Sequence, residues 1–423
     1  MCCRGDEELS DLIIFSNGPG EISTWVLPVI EQLRKNEEIS RLHRIVLIIH
    51  PCQFGSGTEH VVAHGIEGVE HVIRPSEYVK FLFTGLGKRR YGFRRNGIIL
   101  SLGGDLMHPV LFRMRIRGKH RMFAYTNNPG WEKHYEKIFV RNEWVRNKSK
   151  RLARFADRLI VTGDLVYSSL KSGRGRDRIR EALGLAARER MLAFLPGSRL
   201  FEVAHMLPLF LKVIGDIEND FKDFRPFILK SPYMPYEYIS EALAGWRNVS
   251  GIRGLSGTLV EGETKSSREV QIQNGRKVPV LEGGFEQWGE GIDFAVTVPG
   301  TNTVQLAYRK VPALVVAPIN KPELIPIEGA AGLLKWVPFG RCILRKAATK
   351  YIERFSYSAL PNMYADREIL PELFGVITTE DVTKKLRRIL ANGEYLRIRD
   401  ELSFFTFPGD PSRRIVDEIW GRH

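Results

Sequence analysis

Cysteine is scarce in this chain: Cys2, Cys3, Cys52 and Cys342 are the only four among 423 residues, and their spacing forms neither a C-x-x-C pair nor a disulfide framework. A reducing compartment is the expectation. No stretch approaches the roughly 18 uninterrupted apolar residues of a membrane span, and Met1 to Glu8 lacks the apolar core of a leader. The sequence therefore predicts a chain that is neither secreted nor membrane-spanning. It has no repeat of fixed period and no low-complexity tract, which excludes solenoid, propeller and collagen-like architectures. Histidine reads as scattered. Glu59, His60 and His64 share one helix face near Cys52, but their order is not His-Glu-x-x-His, and no metal site is expected there.

A 43% hydrophobic fraction and 26% charged fraction suit a folded protein with a full core, and 423 residues predict two or three domains. Lys and Arg number 63 against 49 Asp and Glu, a net charge of +14. Some anionic partner follows: nucleic acid, an anionic membrane surface or phosphorylated small molecules.

Apolar runs without alternation mark strands covered on both faces. They occur at 11–15, 44–50, 97–102, 121–125, 137–140 and 158–162, separated by helical patterns, and again at 191–195, 226–229, 294–298 and 313–317. The first helix carries Trp25, Val26, Val29, Ile30 and Leu33 at helical spacing, with Pro28 inside it to cost or kink something. The fold class is α/β, with two doubly wound Rossmann-like domains in tandem. The expected boundaries are 1–165, 186–380 and a helical segment 381–423 packing back across both, with a linker in 163–190. Arg268 to Leu281, alternating around Asn274-Gly275, predicts a β-hairpin with a primed turn, inserted in the second domain. Gly283, Gly284, Gly289 and Gly291 predict a flexible return path.

In open parallel sheets ligands bind beyond the carboxyl ends of the strands, so the loops there are the candidates. In the first domain, Gly18, Gly20, Glu21 and Ser23 follow one strand, and Gly103, Gly104 and Asp105 follow another. Asp105 is a candidate general base, with capping of the next helix as the structural alternative. In the second domain, Pro196-Gly197-Ser198-Arg199 and Gly300-Thr301-Asn302-Thr303 each open a helix. Exposed amides and a guanidinium suit a diphosphate and need no metal, although Asn302 with Gln305 also fits a capping box.

Between Lys80 and Arg121 the basic residues interleave with apolar ones. Lys88, Arg89, Arg90, Arg94 and Arg95 alternate with Tyr91 and Phe93, flanked by Phe81, Phe83, Leu86, Phe112 and Met114. Such a surface suits lipid headgroups and acyl chains together. Single-stranded nucleic acid is the rival, without an RNP, KH or zinc motif to support it.

Three collinear segments carry a family resemblance. Leu195 to Arg199 with Glu202-Val203 is similar to an L-P-G-S-R-x-x-E-[IV] motif, and Gly300 to Gln305 to an S-G-T-A-T-L-E motif. Ala359-Leu360-Pro361-Asn362-Met363-Tyr364-Ala365-Asp366-Arg367-Glu368 through Leu373 is similar to S-L-P-N-L-x-A-x-R-E-x-V-P-E-L. Together they resemble the lipid-A-disaccharide synthases, bacterial inverting glycosyltransferases of the GT-B type. Thr24, Trp25, Leu102 and Gln305 depart from the family's pattern.

The resemblance implies two domains facing across a cleft, a UDP-linked acylated glucosamine as donor and a lipid-linked glucosamine phosphate as acceptor. It implies no cofactor beyond the UDP-sugar substrate and no metal, with Asp105 as base and Glu21 positioning the sugar. Asn362, Arg367 and Glu368 join the loops at 196–199 and 300–305 around the UDP. It further implies a cytoplasmic protein at the inner face of the cell membrane, with a homodimer as a family trait and no nucleic-acid partner. Two rival readings stay open at this point: another UDP-sugar enzyme of this fold, such as a UDP-N-acetylglucosamine epimerase, and a lipid- or nucleotide-binding relative without catalysis.

Overall fold

The computed structural model describes residues 9–52, 55–86, 88–147, 150–170, 173–244, 254–262, 267–273, 275–320, 356–406 and 409–421. Of the cysteines only Cys52 lies among them. The chain forms two compact units: residues 1–171 with 407–423, and residues 172–406.

Unit 1 is built on seven parallel strands in the order β3-β2-β1-β4-β5-β6-β7. These are β1 (Ser10–Ser16), β2 (His43–Ile49), β3 (Val69–Ile73), β4 (Asn96–Leu102), β5 (Lys119–Tyr125), β6 (Lys137–Val140) and β7 (Leu159–Val161). Ile13, Phe15, Val46, Ile48 and Ile99 form the floor of its core, with Tyr78, Phe81, Phe112 and Tyr135 packed against them. Buried on both faces, these strands could not alternate, which is why their sequences read as continuous apolar runs. Strand order reverses between β1 and β4, the crevice where such sheets bind ligands.

Pro28 produces a local change of helix type. Ile22–Val26 is a π-turn between the short helix Pro19–Glu21 and the helix Leu27–Arg34, and the Leu27 amide donates to the Ile22 carbonyl. A proline cannot supply the α-helical bond to the carbonyl four residues earlier, and the widened turn just before Pro28 accommodates that loss. Thr24 and Trp25 occupy this turn. Thr24 Oγ1 donates to the Gly20 carbonyl at 2.7 Å, and the Trp25 ring meets Tyr125 edge-on at 4.9 Å.

Unit 2 has eight strands in the order β10-β11-β12-β9-β8-β13-β14-β15. They are β8 (Arg190–Leu195), β9 (Phe224–Leu229), β10 (Gly257–Glu261), β11 (Arg268–Ile272), β12 (Lys277–Leu281), β13 (Ile292–Thr297), β14 (Ala313–Pro318) and β15 (Glu372–Gly375). The hairpin at 268–281 forms, but it is no simple insertion. β12 pairs in parallel with β9, so the outgoing strand is a full member of the central sheet, and only β10 and β11 extend it antiparallel. The Ile272 amide bonds to the Arg276 carbonyl at 2.9 Å, which leaves a three-residue loop with Gly275 at φ +84° in place of the two-residue turn expected. Asn274 itself lies outside the described residues. The glycines after β12 are not a flexible path: they belong to the helix Gly284–Trp288, its cap at Gly283 and the 3-10 turn Gly289–Gly291.

The segment expected as a linker carries two helices, Leu165–Ser168 and Arg176–Ala182, and the units divide at 171/172. The C-terminal helices do not act as one segment. Thr379–Ala391 and Glu394–Glu401 belong to unit 2, while Pro411–Trp420 belongs to unit 1, where Lys137 Nζ meets Glu418 Oε2 at 2.7 Å.

Candidate functional site

In unit 1 the residues after β1, β2 and β4 converge on the Gly103-Gly104 pair. Both glycines have positive φ, +108° and +73°. A side chain at Gly104 would place its Cβ 2.1 Å from Cε1 and Nε2 of His50 and 3.0 Å from Asn17 Nδ2. At Gly103 it would lie 2.7 Å from Cγ of Glu21. Only glycine fits, for backbone and for space. Glu21, Asn17 and His50 thus crowd one turn, and Asp105 stands exposed at its end, with Oδ1 accepting the Met107 amide at 2.8 Å. Asp105 therefore does open the helix Met107–Ile116, the structural role anticipated, while facing solvent beside this cluster. Ile22 N–H bonds to the Gly18 carbonyl at 3.1 Å, which holds the Gly18–Ser23 turn against the strand end. Leu102 is wholly buried at the end of β4, where its carbonyl accepts from Ser16 Oγ.

Histidine is not scattered here. The rings of His50 and His108 stack with centroids 4.5 Å apart and planes 26° from parallel. His50 is 2% exposed; burial first, and then His108, lowers its pKa to about 4. Burial likewise lowers that of His108, against the pull of Asp105. Tyr78 Oη lies 3.1 Å from both Nδ1 and the carbonyl oxygen of His108. Neither Asn17 nor His50 was singled out from the sequence, although each directly follows a strand, the rule that had selected Asp105. At 59–64 the buried Glu59 carboxylate accepts the amides of Ser56 and Gly57 and so ties down the loop ahead of its helix.

In unit 2 the two helix-opening loops differ. At the first, the Glu202 carboxylate accepts the amides of Ser198 (3.1 Å) and Arg199 (3.3 Å) and pairs with Arg199 Nη1 at 2.5 Å. Two amides expected to be exposed for an anion, those of Ser198 and Arg199, are already held by an internal carboxylate, a correction to the reading of these two residues. At the second, no side chain among the described residues caps the helix Thr301–Tyr308, which Gly300 opens at φ +149°. Gly300, Thr301 and Asn302 are half-buried there. Asn302 and Gln305 form no capping box. Asn302 lies inside the helix, and the buried Gln305 donates from Nε2 to Glu286 Oε1 at 3.2 Å. Desolvation raises the Glu286 carboxyl pKa, and the Gln305 bond opposes part of that rise. Thr303 turns its hydroxyl back onto the Gly300 carbonyl at 2.7 Å.

In the segment 359–373 the buried candidate Asn362 serves as scaffold, a correction to its reading as a ligand residue, while Arg367 and Glu368 stay exposed. Asn362, wholly buried, accepts the amides of Ile369 and Leu370 at 2.8 Å and donates to the Leu370 carbonyl at 2.7 Å. Arg367 pairs with Glu401 at 3.1 Å, and Glu368 accepts the Glu372 amide at 3.1 Å. The side chain that the motif places most firmly has no surface left for a ligand.

The basic and aromatic stretch divides into two sets. Tyr91 is buried, and Phe93 packs on Phe81, Tyr91 and Phe112. The Arg94 amide and side chain reach the fully buried Asp11, which Arg44 also pairs at 2.8 Å. Tyr91 is therefore core, Phe93 packs against that core, and Arg94 is half-buried with its guanidinium turned to Asp11. The side chains of Lys88 and Arg89 lie outside those described; Arg90 and Arg95 are exposed, Arg90 lying 3.5 Å from Glu77. A different apolar set faces solvent: Phe83 (83% exposed), Leu86 (59%), Leu111 (38%) and Met114 (69%). Lys80, Arg115 and Arg117 are exposed nearby in the chain, and the Arg115 guanidinium lies over Gly85.

Among the described residues no three of His, Cys, Asp and Glu are grouped to hold a metal ion, and no helix is long and apolar enough to cross a membrane.

Two solved structures share this architecture along nearly all of the chain. The UDP-GlcNAc 2-epimerase from Neisseria meningitidis bound to UDP-GlcNAc superposes with TM-score 0.52 at 11% identity, covering 98% of this chain and 100% of that one. The UDP-GlcNAc 2-epimerase from Methanocaldococcus jannaschii gives 0.51 at 10%, with 98% and 100% covered. The fold class is thus the two-domain α/β architecture of GT-B enzymes.

Among curated proteins, the chain is similar to the lipid-A-disaccharide synthase of Psychromonas ingrahamii, 23% identical over 224 residues, which are 53% of this chain and 46% of that protein. The lipid-A-disaccharide synthase of Myxococcus xanthus is 23% identical over 269 residues, 59% of this chain and 57% of its own. The matches thus span about half the length of these relatives. No family model matches the chain.

Proposed function

We propose that the protein is an inverting glycosyltransferase, moving an acylated glucosamine from UDP to a lipid-linked glucosamine phosphate. The collinear motifs and the curated similarity support the donor class. The observation that carries the reading is a loop at the carboxyl end of each sheet: a helix terminus that no side chain among the described residues caps at Gly300–Asn302, and a turn at Gly103–Asp105 crowded with polar groups.

The diphosphate lies at Gly300, Thr301 and Asn302, where helix amides and the helix dipole stabilise the negative charge that grows as UDP departs. This arrangement needs no metal. Arg199, in the counterpart of this loop, is engaged by Glu202. The acceptor hydroxyl lies at the Gly103–Asp105 turn, with Glu21 holding the sugar and Asp105 supplying the negative charge that favours loss of its proton to a neighbouring base.

The protein works at the cytoplasmic face of a membrane, docking through Phe83, Leu86, Leu111 and Met114 beside Lys80, Arg115 and Arg117. Apolar side chains among cations suit an anionic leaflet.

Turnover measured with mass detection, across UDP-sugars with and without lipid acceptors, tests the reading. Transfer that requires the acceptor is expected. A free sugar released from UDP-N-acetylglucosamine without acceptor would establish an epimerase instead, and silence with every donor a non-catalytic relative.

A further inference from the structure

We propose that His108 is the catalytic base of this site, taking the acceptor hydroxyl's proton at Nε2 while Asp105, one helical turn earlier, balances the charge it acquires. The proposal rests on the transfer reading above and adds to it a residue that neither the motifs nor the relatives single out.

The geometry decides the tautomer. Tyr78 Oη is 3.1 Å from the His108 carbonyl oxygen and 3.1 Å from its Nδ1. A carbonyl only accepts, so the phenol's single proton goes there, and the phenol oxygen in turn accepts from Nδ1–H. Both contacts are satisfied only in this arrangement. It leaves the lone pair on Nε2, the nitrogen not engaged by Tyr78. Burial keeps the Tyr78 phenol protonated, as it does Tyr135, whose hydroxyl is tied to the Leu106 carbonyl at 2.8 Å just before the same helix. His50 makes the analogous choice: Nδ1 is 3.3 Å from the Pro51 carbonyl, and its Nε2 is buried without a hydrogen-bond partner. Stacked on His108, it forms a neutral wall that fixes the ring's plane.

The groups facing His108 are therefore His50, Tyr78 and Asp105. Burial favours the neutral imidazole before reaction, and the Asp105 charge favours the imidazolium afterwards. Asp105 is a weaker candidate for the proton itself, because Oδ1 is committed to the Met107 amide. In the step, the acceptor O–H bond breaks and its proton goes to His108 Nε2. The oxygen forms the bond to the anomeric carbon, and the bond from that carbon to the diphosphate oxygen breaks, UDP leaving with the electron pair.

The test compares wild type, His108→Gln, His108→Ala and Asp105→Asn for kcat, acceptor KM and pH profile, with UDP binding followed by calorimetry. The His108 variants are expected to bind UDP normally, to lose about 10²–10⁴ in kcat with acceptor KM little changed, and to lose the acidic limb of the wild-type profile. Asp105→Asn is expected to lose rate but to keep that limb, moved to lower pH because the imidazolium has lost its counter-charge. Wild-type-like turnover in His108→Gln overturns the proposal, as does an acidic limb that survives in the His108 variants and vanishes in Asp105→Asn. Should His108→Ala fail to fold, Tyr78→Phe keeps the ring packed and removes only the tautomer-fixing hydroxyl. A fall in its kcat supports the assignment, and an unchanged kcat and pH profile overturn it. An inactive wild type is a separate outcome: it removes the transfer reading and this assignment with it.

Discussion

At the scale of single residues, the role of a polar side chain follows from the buried backbone groups it satisfies. Asn362 shows what that means for a motif. Its amide satisfies two backbone N–H groups and one carbonyl, all buried, so Asn362→Ala should destabilise unit 2 by about 3 kcal/mol, read by urea unfolding, while UDP affinity of the folded variant stays unchanged. A loss of UDP binding without loss of stability would return Asn362 to the ligand.

His50 gives the matching prediction for pH. The unfolded imidazole takes a proton near pH 6.5, whereas the folded one waits until about 4. Between these values the unfolded state holds more protons, so stability rises with pH. The His50 contribution is full above about 6.5 and disappears as pH falls towards 4, a loss of about 3 kcal/mol. Hydrogen exchange in β1, β2 and β4 should show this acid sensitivity, and His50→Gln should flatten it.

At the scale of elements, every strand that neither the apolar runs nor the alternating hairpin pattern marked lies at a sheet edge. β3, β10 and β15 end the two sheet orders. Edge strands are short and polar, Val-Glu-His-Val-Ile in β3 and Gly-Thr-Leu-Val-Glu in β10, because one side has no neighbouring strand to cover it. The central strands were legible since double burial leaves a continuous apolar signature.

Helix starts were legible in position but not in what satisfies them. Both Leu200–Ile217 and Thr301–Tyr308 begin where Gly and Ser or Thr predicted. Only the first is closed by its own glutamate. Glu202→Ala should lower the stability of unit 2 by about 1–2 kcal/mol, measured by thermal melting, and raise affinity for inorganic diphosphate by vacating two amides and a guanidinium. A fall in that affinity would mean that Glu202 shapes the loop for the anion.

At the scale of the whole molecule, a net charge of +14 called for an anionic partner without locating it. Burial exposes a different apolar set from the one that composition marked. Phe83→Ser with Met114→Ser should weaken binding to vesicles rich in anionic lipid, in a sedimentation assay, without changing the melting temperature, because both side chains already face water. Arg94→Glu should act through the fold, placing a carboxylate beside the buried Asp11 and lowering stability by about 3–5 kcal/mol. Equal vesicle binding before and after the double substitution would remove this face as the docking surface.

What the amino-acid order determined by itself is whatever a short window can encode: continuous apolar strands, the glycines that end them, the proline that distorts the first helix and the α/β class they compose. What only the tertiary structure decided is partnership. His50 and His108 are 58 positions apart, yet their rings stack because β2 and β4 flank β1 and end at the same edge of one parallel sheet. Glu202, Asn362 and Arg94 carry groups that could serve a ligand as well as the backbone. Which of the two they serve depends on the nearest unsatisfied donor or buried charge in three dimensions, a distance that no sequence spacing records.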